Sequence, residues 1–359
     1  MGGYVWVNRL ITAISCDYLH NMMGEQATRN TEKRRILCID GGGLLGTFPA
    51  SVLAALEEHT KEPIGRYFDL IAGTSTGGII AIGLGLGLRA ADLLDLYENR
   101  GPWIFGQDGH PAVNWMMRNV AAVRHFGRAK HSSERLRSAL TDVLGERRLG
   151  ESSTRLVVPA WSATARRVYI YKTAHHRRLQ IDYKAKAVDA AMATASAPTY
   201  FQQHVTENSV GLIDGGVWAN NPIAIAVVEA VTLLGWAPEN MHVLSLGCLD
   251  EVYNLPAAGG WGTFNMKLIK LFMDGQAHGA MGMAKLLTGH EHEREAIYRI
   301  DHQVKYGDYK LDDARLIGEL KGLGFERARD RLPEMQRVFL DTPANSFTPC
   351  YSLSTSGKT

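Results

Sequence analysis

Residues 68–88 read FDLIAGTSTGGIIAIGLGLGL. Phe68, Leu70, Ile71 and Ala72 make a short buried strand. Gly73-Thr74-Ser75-Thr76-Gly77 is a tight turn, and the uncharged run after it is a helix of small residues. Gly-x-Ser-x-Gly between a strand and a helix is the pattern of a nucleophile elbow. So sharp a turn has no room for a Cβ at Gly73 or Gly77. It lifts the Ser75 hydroxyl above the sheet edge, at the start of the helix. Free N–H groups and the helix dipole there favour negative charge on an ionising serine and on a developing oxyanion. The blander alternative is a glycine-rich turn with a capping serine. The setting of the motif, apolar strand before and apolar helix after, argues against it.

The 359 residues carry a formal charge of +2, with 45% hydrophobic and 21% charged side chains, so a full α/β core is affordable in length and nothing points to DNA or RNA. Cys16, Cys38, Cys248 and Cys350 are widely spaced and form no C-x-x-C pair, which reads as reduced thiols of a cytosolic protein with no zinc site. No stretch is long and apolar enough to span a bilayer; Ile79–Leu88 is a core helix interrupted by glycines. Tyr4–Cys16 is apolar, but no positive region precedes it, so no secretory signal is expected. Residues 1–33 read as a loosely ordered extension, 34–340 as one domain, and 341–359 as a disordered tail.

Arg35–Ile39 is a second buried strand. It runs into Asp40-Gly41-Gly42-Gly43-Leu44-Leu45-Gly46, where three consecutive glycines can turn N–H groups inward as a nest for an anion. Gly41-x-Gly43-x-x-Gly46 also matches a dinucleotide-binding pattern. The acidic residue expected about twenty positions on is missing, and an elbow after the second strand is foreign to that fold. Ala90–Arg100 reads as an amphipathic helix and Gly101–Pro111 as a loop with Trp103, Ile104 and Phe105 exposed. Val113–Lys130 mixes bulky apolar and cationic residues, which suits either a membrane surface or a solvated cap helix. A helix follows over Ser133–Leu144, then strands over Thr154–Ala160 and Arg167–Tyr171. His175 and His176 are adjacent and lack a further ligand at helical spacing, so they make no metal site. Val188–Pro198 is a small-residue helix. Val210–Ile213 is a strand ending in Asp214-Gly215-Gly216, an acid where α/β enzymes place catalytic groups. Met241–Leu246 is a further strand. Helices are expected at Phe264–Met273, Gly279–Leu287, Asp312–Leu320 and Phe325–Leu340, and a strand at Ala296–Ile300.

An activated serine needs a base and an oxyanion hole. No histidine downstream of Asp214 sits in a marked context, and Asp214 can take the Ser75 proton itself. With that dyad on the page, the chain resembles the patatin-like phospholipases. The matching pieces are DGGGLLG (40–46), GTSTG (73–77), ATASAPTYF (193–201), DGGVWANNP (214–222) and SLG (245–247), in the family's order. They cover about Arg34 to Gly247, with weaker likeness to about Leu320. The resemblance implies a single-domain α/β three-layer sandwich with a central, mostly parallel sheet flanked by helices. By position it makes Ser75 the nucleophile and Asp214 the general base. Gly41, Gly42 and Gly43 become oxyanion donors, and Gly46, Gly73, Gly77, Gly215 and Gly216 the motif glycines. The reaction it implies is hydrolysis of fatty-acyl esters of glycerophospholipids through an acyl-serine, without a metal or other cofactor. One departure stands out: the family usually has Arg or Lys where this chain has Leu45.

Within the family the chain looks similar to bacterial phospholipase effectors of cyclic-oligonucleotide anti-phage systems. That implies a cytoplasmic protein switched on by a cyclic dinucleotide, attacking membrane phospholipids at the inner face of the cytoplasmic membrane, with room for a homo-oligomer. Arg166, Arg167, Tyr169, Tyr171, His175 and Arg177 are the cationic and aromatic candidates for the activator; the alternative is a solvated strand edge. Two rival functions share the same residues: a constitutive acyl esterase or lysophospholipase, and an inactive scaffold that binds lipid or nucleotide.

Overall fold

The computed structural model describes residues 32–107, 129–252, 261–291 and 294–353, with backbone alone over 261–269. The chain divides into Met1–Lys33 and Arg34–Thr359, and the second unit carries the fold. The extension and the basic helix expected over Val113–Lys130 lie almost wholly outside the described residues.

The first half holds β1 (Arg34–Ile39), α1 (Thr47–Glu57), β2 (Leu70–Gly73), α2 (Thr76–Gly85), α3 (Ala90–Asp95), α4 (Gly101–Ile104) and α5 (Ser133–Leu144). Next come β3 (Arg155–Ser162), β4 (Arg167–Lys172), α6 (Ala187–Ala195), β5 (His204–Val205), β6 (Gly211–Asp214), α7 (Gly216–Ala219) and α8 (Ile223–Thr232). The chain ends with β7 (Met241–Leu246), β8 (Asp250–Val252), α9 (Trp261–Thr288), β9 (Ile297–Ile300), β10 (Gln303–Lys305) and α10 (Ile317–Val338).

The main sheet runs β5-β6-β3-β2-β1-β7-β9, with β4 also paired to β3. Its centre is parallel, β3-β2-β1-β7-β9, and β4, β5 and β6 join antiparallel at one end. Parallel strands covered on both faces read as continuous apolar runs, which is how the sequence shows them. Side chains on successive strand residues point to opposite faces. In β1, Leu37 and Ile39 therefore enter the larger core with α1, α2, α6 and α10, while Ile36 and Cys38 enter a second core with α8 and α9. Three layers follow: helices, sheet, helices.

The structure departs from sequence expectation at four places. Gly101–Ile104 is a short helix with Ile104 buried, and Trp103 lies under the guanidinium of Arg135 at 5.4 Å. The two helices expected at Phe264–Met273 and Gly279–Leu287 are one, α9, because Gly275, Gly279 and Gly282 face open space and interrupt nothing. The two expected at Asp312–Leu320 and Phe325–Leu340 are also one, α10. Gly324 is there for contact: a Cβ on it would lie 2.6 Å from the Ser51 Cβ of α1. Lastly, the segment after Asp341 is held down as far as it is described. Arg35 pairs with Asp341 at 2.7 Å, Ala344 N–H donates to the Arg66 carbonyl at 2.8 Å, and Tyr351 stacks on Tyr183.

Candidate active site

Ser75 stands between β2 and α2 with φ 55° and ψ −122°. That is left-handed backbone for a residue with a Cβ, a strain of order 1–3 kcal/mol that the surroundings must hold. They do so at each neighbour. The Ser75 N–H donates to Thr194 Oγ1 at 2.9 Å, and the Thr194 hydroxyl donates to the Pro159 carbonyl at 2.6 Å. The Thr74 hydroxyl donates to the Ala219 carbonyl at 2.6 Å. Thr76 and Tyr97 share a short hydroxyl–hydroxyl contact. A Cβ on Gly73 would strike the Gly77 carbonyl, and one on Gly77 the Ile39 carbonyl. A Cβ on Gly46 would strike the Thr76 hydroxyl, and one on Gly215 the Pro159 carbonyl. Four of the motif glycines are thus close-approach positions.

The Ser75 hydroxyl donates to Asp214 Oδ2 at 2.6 Å. Asp214 ends β6 and is 5% exposed. Its other oxygen accepts the Gly216 N–H at 2.6 Å. Burial pushes the Asp214 carboxyl up to about 6, against the opposing hydrogen bonds from Ser75 and Gly216. Such a carboxylate is ionised at neutral pH yet more basic than a solvated one, which suits a general base.

The pair opens into a cavity of about 530 Å³ whose walls are apolar, among them Ile79, Leu96, Ile104, Leu136, Leu140 and Phe201. Gly42 and Gly43 line it beside Ser75, and among the described residues no histidine does. The glycine nest is pinned from both sides. Gly41 N–H donates to the Asn220 carbonyl at 3.0 Å, and Leu44 N–H to the Leu311 carbonyl at 2.8 Å. This corrects the expectation for Gly41: its N–H is already engaged. The N–H groups of Gly42 and Gly43 have no protein acceptor among the described residues. Gly43 has φ +57°, with the Leu311 carbonyl where a Cβ would project, so only glycine fits there.

A second chamber of about 680 Å³ meets the first at Gly41, Gly42, Asn220 and Leu311. Among the described residues six carboxylates line it against four Lys and Arg side chains. Its wall at Asp312 is fixed to the body: the carboxylate accepts from His131 at 3.1 Å and pairs with Lys130. Burial raises the Asp312 carboxyl, but those partners outweigh it and hold it down at about 2.

The six activator candidates line neither of these two chambers. His175 is buried, with Nδ1 on Thr173 at 2.9 Å and Nε2 on Glu229 at 2.9 Å. Tyr171 is buried edge-on against Tyr169, whose hydroxyl donates to Asp182 at 2.7 Å. Arg166, Arg167 and Arg177 are exposed. This cluster is a strand edge with structural tyrosines.

Thr194, Gln276, Arg299 and Leu311 are the residues that sequence reasoning passed over. Thr194 had a weak signal, a hydroxyl in an alanine helix. The other three lie in segments without a motif. Among the described residues no group of three or more His, Cys, Asp or Glu side chains could hold a metal ion, and no helix is long and apolar enough to cross a membrane.

The family model for patatin-like phospholipase matches residues 37–227, over half of the chain. The chain belongs to the patatin-like phospholipase family. Among curated relatives, a cGAMP-activated phospholipase of Pseudomonas aeruginosa is 36% identical over 218 residues, 60% of this chain and 62% of that one. One of Vibrio cholerae is 28% identical over 348 residues, 87% of this chain and 96% of the relative. Rice patatin-like protein 2 is 30% identical over 64% of this chain and 65% of its own length. Among solved structures, VipD from Legionella pneumophila aligns over 84% of this chain and 67% of its own, with TM-score 0.45 and 12% identity. The patatin match ends at residue 227, so Arg299 and Leu311 reach the nest, and Gln276 reaches Asn220 beside it, from beyond the match.

Proposed function

We propose that the protein is a phospholipase that hydrolyses fatty-acyl esters of membrane glycerophospholipids with a Ser75–Asp214 dyad. The observation that carries this reading is the 2.6 Å hydrogen bond from Ser75 to a buried aspartate on the wall of an apolar chamber. An acyl chain fills that chamber, and its ester carbonyl lies between Ser75 Oγ and the free N–H groups of Gly42 and Gly43. Asp214 takes the hydroxyl proton as Oγ bonds to the carbonyl carbon. The negative charge passes to the carbonyl oxygen, where the nest meets it. Collapse breaks the ester C–O bond, and Asp214 returns its proton to the departing lysophospholipid alkoxide. Asp214 then deprotonates a water that attacks the acyl-serine, and the Ser75 alkoxide leaving at collapse recovers the proton as the fatty acid departs.

The relatives named as cGAMP-activated support a cyclic dinucleotide as activator. On that reading the protein acts in anti-phage defence, at the inner face of the cytoplasmic membrane, on the cell's own lipids. The experiment combines two readouts. A fluorophosphonate probe labels wild type and not Ser75→Ala. Release of fatty acid from phospholipid vesicles is measured with a panel of cyclic dinucleotides. Labelling with vesicle hydrolysis only in the presence of one dinucleotide is the expected result. Equal hydrolysis throughout leaves a constitutive lipase, and an unlabelled wild type under every condition overturns the enzyme reading.

A further inference from the structure

The nest has no cation of its own, since the position before Gly46 is the buried Leu45. Its first residue, Asp40, is nevertheless a buried carboxylate beside the place where the reading above puts an oxyanion. An unbalanced charge there would work against the reaction. The balance comes from β9. Arg299 Nη2 donates to Asp40 Oδ2 at 2.7 Å and to Asp301 Oδ2 at 2.6 Å, while Nη1 donates to Ser245 Oγ at 2.8 Å. Gly247, at the end of β7, makes room for this ladder; a Cβ there would collide with Asp301 and lie 2.6 Å from Arg299 Nη2. One guanidinium therefore joins the C-terminal ends of β1, β7 and β9 directly behind the nest. Burial pushes Asp40 up to about 6, and Arg299 opposes that rise.

We infer that Arg299 is a positioning residue for the oxyanion nest: it supplies the counter-charge that Asp40 shares with Asp301 and fixes the turn that presents the Gly42 and Gly43 N–H groups. This rests on the dyad reading above. Neither Arg299 nor Asp40 lines the acyl chamber, so their effect falls on turnover and not on acyl binding. Cys248 closes the arrangement from behind. Its thiol donates to the Asp40 carbonyl at 3.3 Å, and its side chain occupies the space a Cβ on Gly42 would need.

The test uses the full chain, a short soluble p-nitrophenyl ester, and the cyclic dinucleotide giving the highest wild-type rate, or none if none has an effect. Arg299→Met should lower kcat by about 10- to 100-fold, the scale of a disturbed oxyanion hole, with KM within about twofold. Adding Asp40→Asn to Arg299→Met removes the stranded carboxylate that belongs to the nest, leaving Asp301, and should recover about tenfold in kcat, which a merely structural loss would not. A folded Arg299→Met at wild-type kcat, or a double variant that recovers nothing, overturns the inference. If Arg299→Met does not fold, Arg299→Lys keeps the charge without the fork. It should lose about 3- to 10-fold in kcat at constant KM, and a folded Arg299→Lys at wild-type kcat overturns the inference equally. A wild type that neither turns over the ester nor labels sinks the dyad reading, and the inference with it. An active wild type with unaffected variants sinks the inference alone.

Discussion

Thr194→Val is the sharpest probe of how the elbow is held. Valine is close in shape to threonine, so the fully buried site stays filled while the hydroxyl goes. Two bonds are lost: the Ser75 N–H loses its acceptor at 2.9 Å, and the Pro159 carbonyl loses a donor at 2.6 Å. The N–H has one bond to make and no protein substitute nearby, so stranding it costs about 1–3 kcal/mol. The carbonyl has a second lone pair and loses less. If Ser75 stays at φ 55°, the whole cost appears as lost stability. If it relaxes, the release of about 1–3 kcal/mol of backbone strain offsets the loss. The hydroxyl then leaves its 2.6 Å contact with Asp214. A displacement near 1 Å costs on the order of 100-fold in rate.

The two outcomes are read together by urea unfolding and by the rate of fluorophosphonate labelling. Either stability falls by about 1–3 kcal/mol, or labelling falls steeply with a smaller change in stability. Thr194→Ser is the control. It keeps the hydroxyl and removes a methyl that packs at Gly78, so it should cost about 1 kcal/mol and label at the wild-type rate. Thr194→Val that matches wild type in both measurements refutes the reasoning. So does Thr194→Ser labelling as slowly as Thr194→Val, because the methyl would then be what matters.

The pH dependence follows from Asp214, whose burial sets its carboxyl at about 6. Ester turnover should rise with pH through an apparent pKa near 6, a macroscopic value because buried Asp40 titrates at about 6 as well; a profile centred near 4 would contradict the burial argument. The native state keeps a proton on Asp214 that the unfolded chain, with a value of 3.8, has released. The associated stability is present at pH 4 and lost as pH rises through 6, and Asp214→Asn should flatten that part of the unfolding curve. Away from the site, Glu229 is buried between Lys172 at 2.6 Å and His175 at 2.9 Å. Burial disfavours its charge, but the hydrogen bonds from His175 and Lys172 win and hold its carboxyl below the usual range. Glu229→Gln leaves Lys172 without its counter-charge and should cost about 3–5 kcal/mol by urea unfolding, with labelling of the folded fraction unchanged. A cost below about 1 kcal/mol would mean that water compensates the lysine.

What the sequence made legible was local. The elbow and the nest are short runs that can be read without knowing what they touch: Gly73 and Gly77 are constrained by the turn and the neighbouring strand, while Gly43 and Gly46 meet Leu311 and Thr76 yet are marked by the run itself. The supports were invisible for a reason of distance along the chain. Thr194 lies 119 positions from Ser75, and Arg299 lies 259 from Asp40. Neither threonine in an alanine helix nor arginine at a strand end is unusual, so nothing in the local pattern marks them. The activator candidates show the opposite relation between pattern and placement. Tyr169, Tyr171 and His175 form a local pattern of aromatic and cationic side chains, but Tyr171 is buried, the Tyr169 hydroxyl is turned to Asp182, and the His175 ring to Thr173 and Glu229. Composition alone cannot separate a ligand edge from a strand edge with satisfied partners.

The placement of the supports also constrains how the site can be controlled. The elbow is held by Thr194 and Ala219, both inside the matched family region, so it is fixed whenever that region is folded. The nest is different. Leu44 N–H depends on the Leu311 carbonyl, and Asn220, which takes the Gly41 N–H, donates its own N–H to Gln276 of α9 at 3.0 Å. Leu311 is next to Asp312, which His131 and Lys130 clamp against the body. On the function proposed above, a ligand that moves α9 or the loop at Leu311 would change the nest without breaking the contacts that hold the elbow. Because α9 and Leu311 also line the acyl chamber, such a ligand should move kcat and KM together while the 2.6 Å Ser75–Asp214 bond persists.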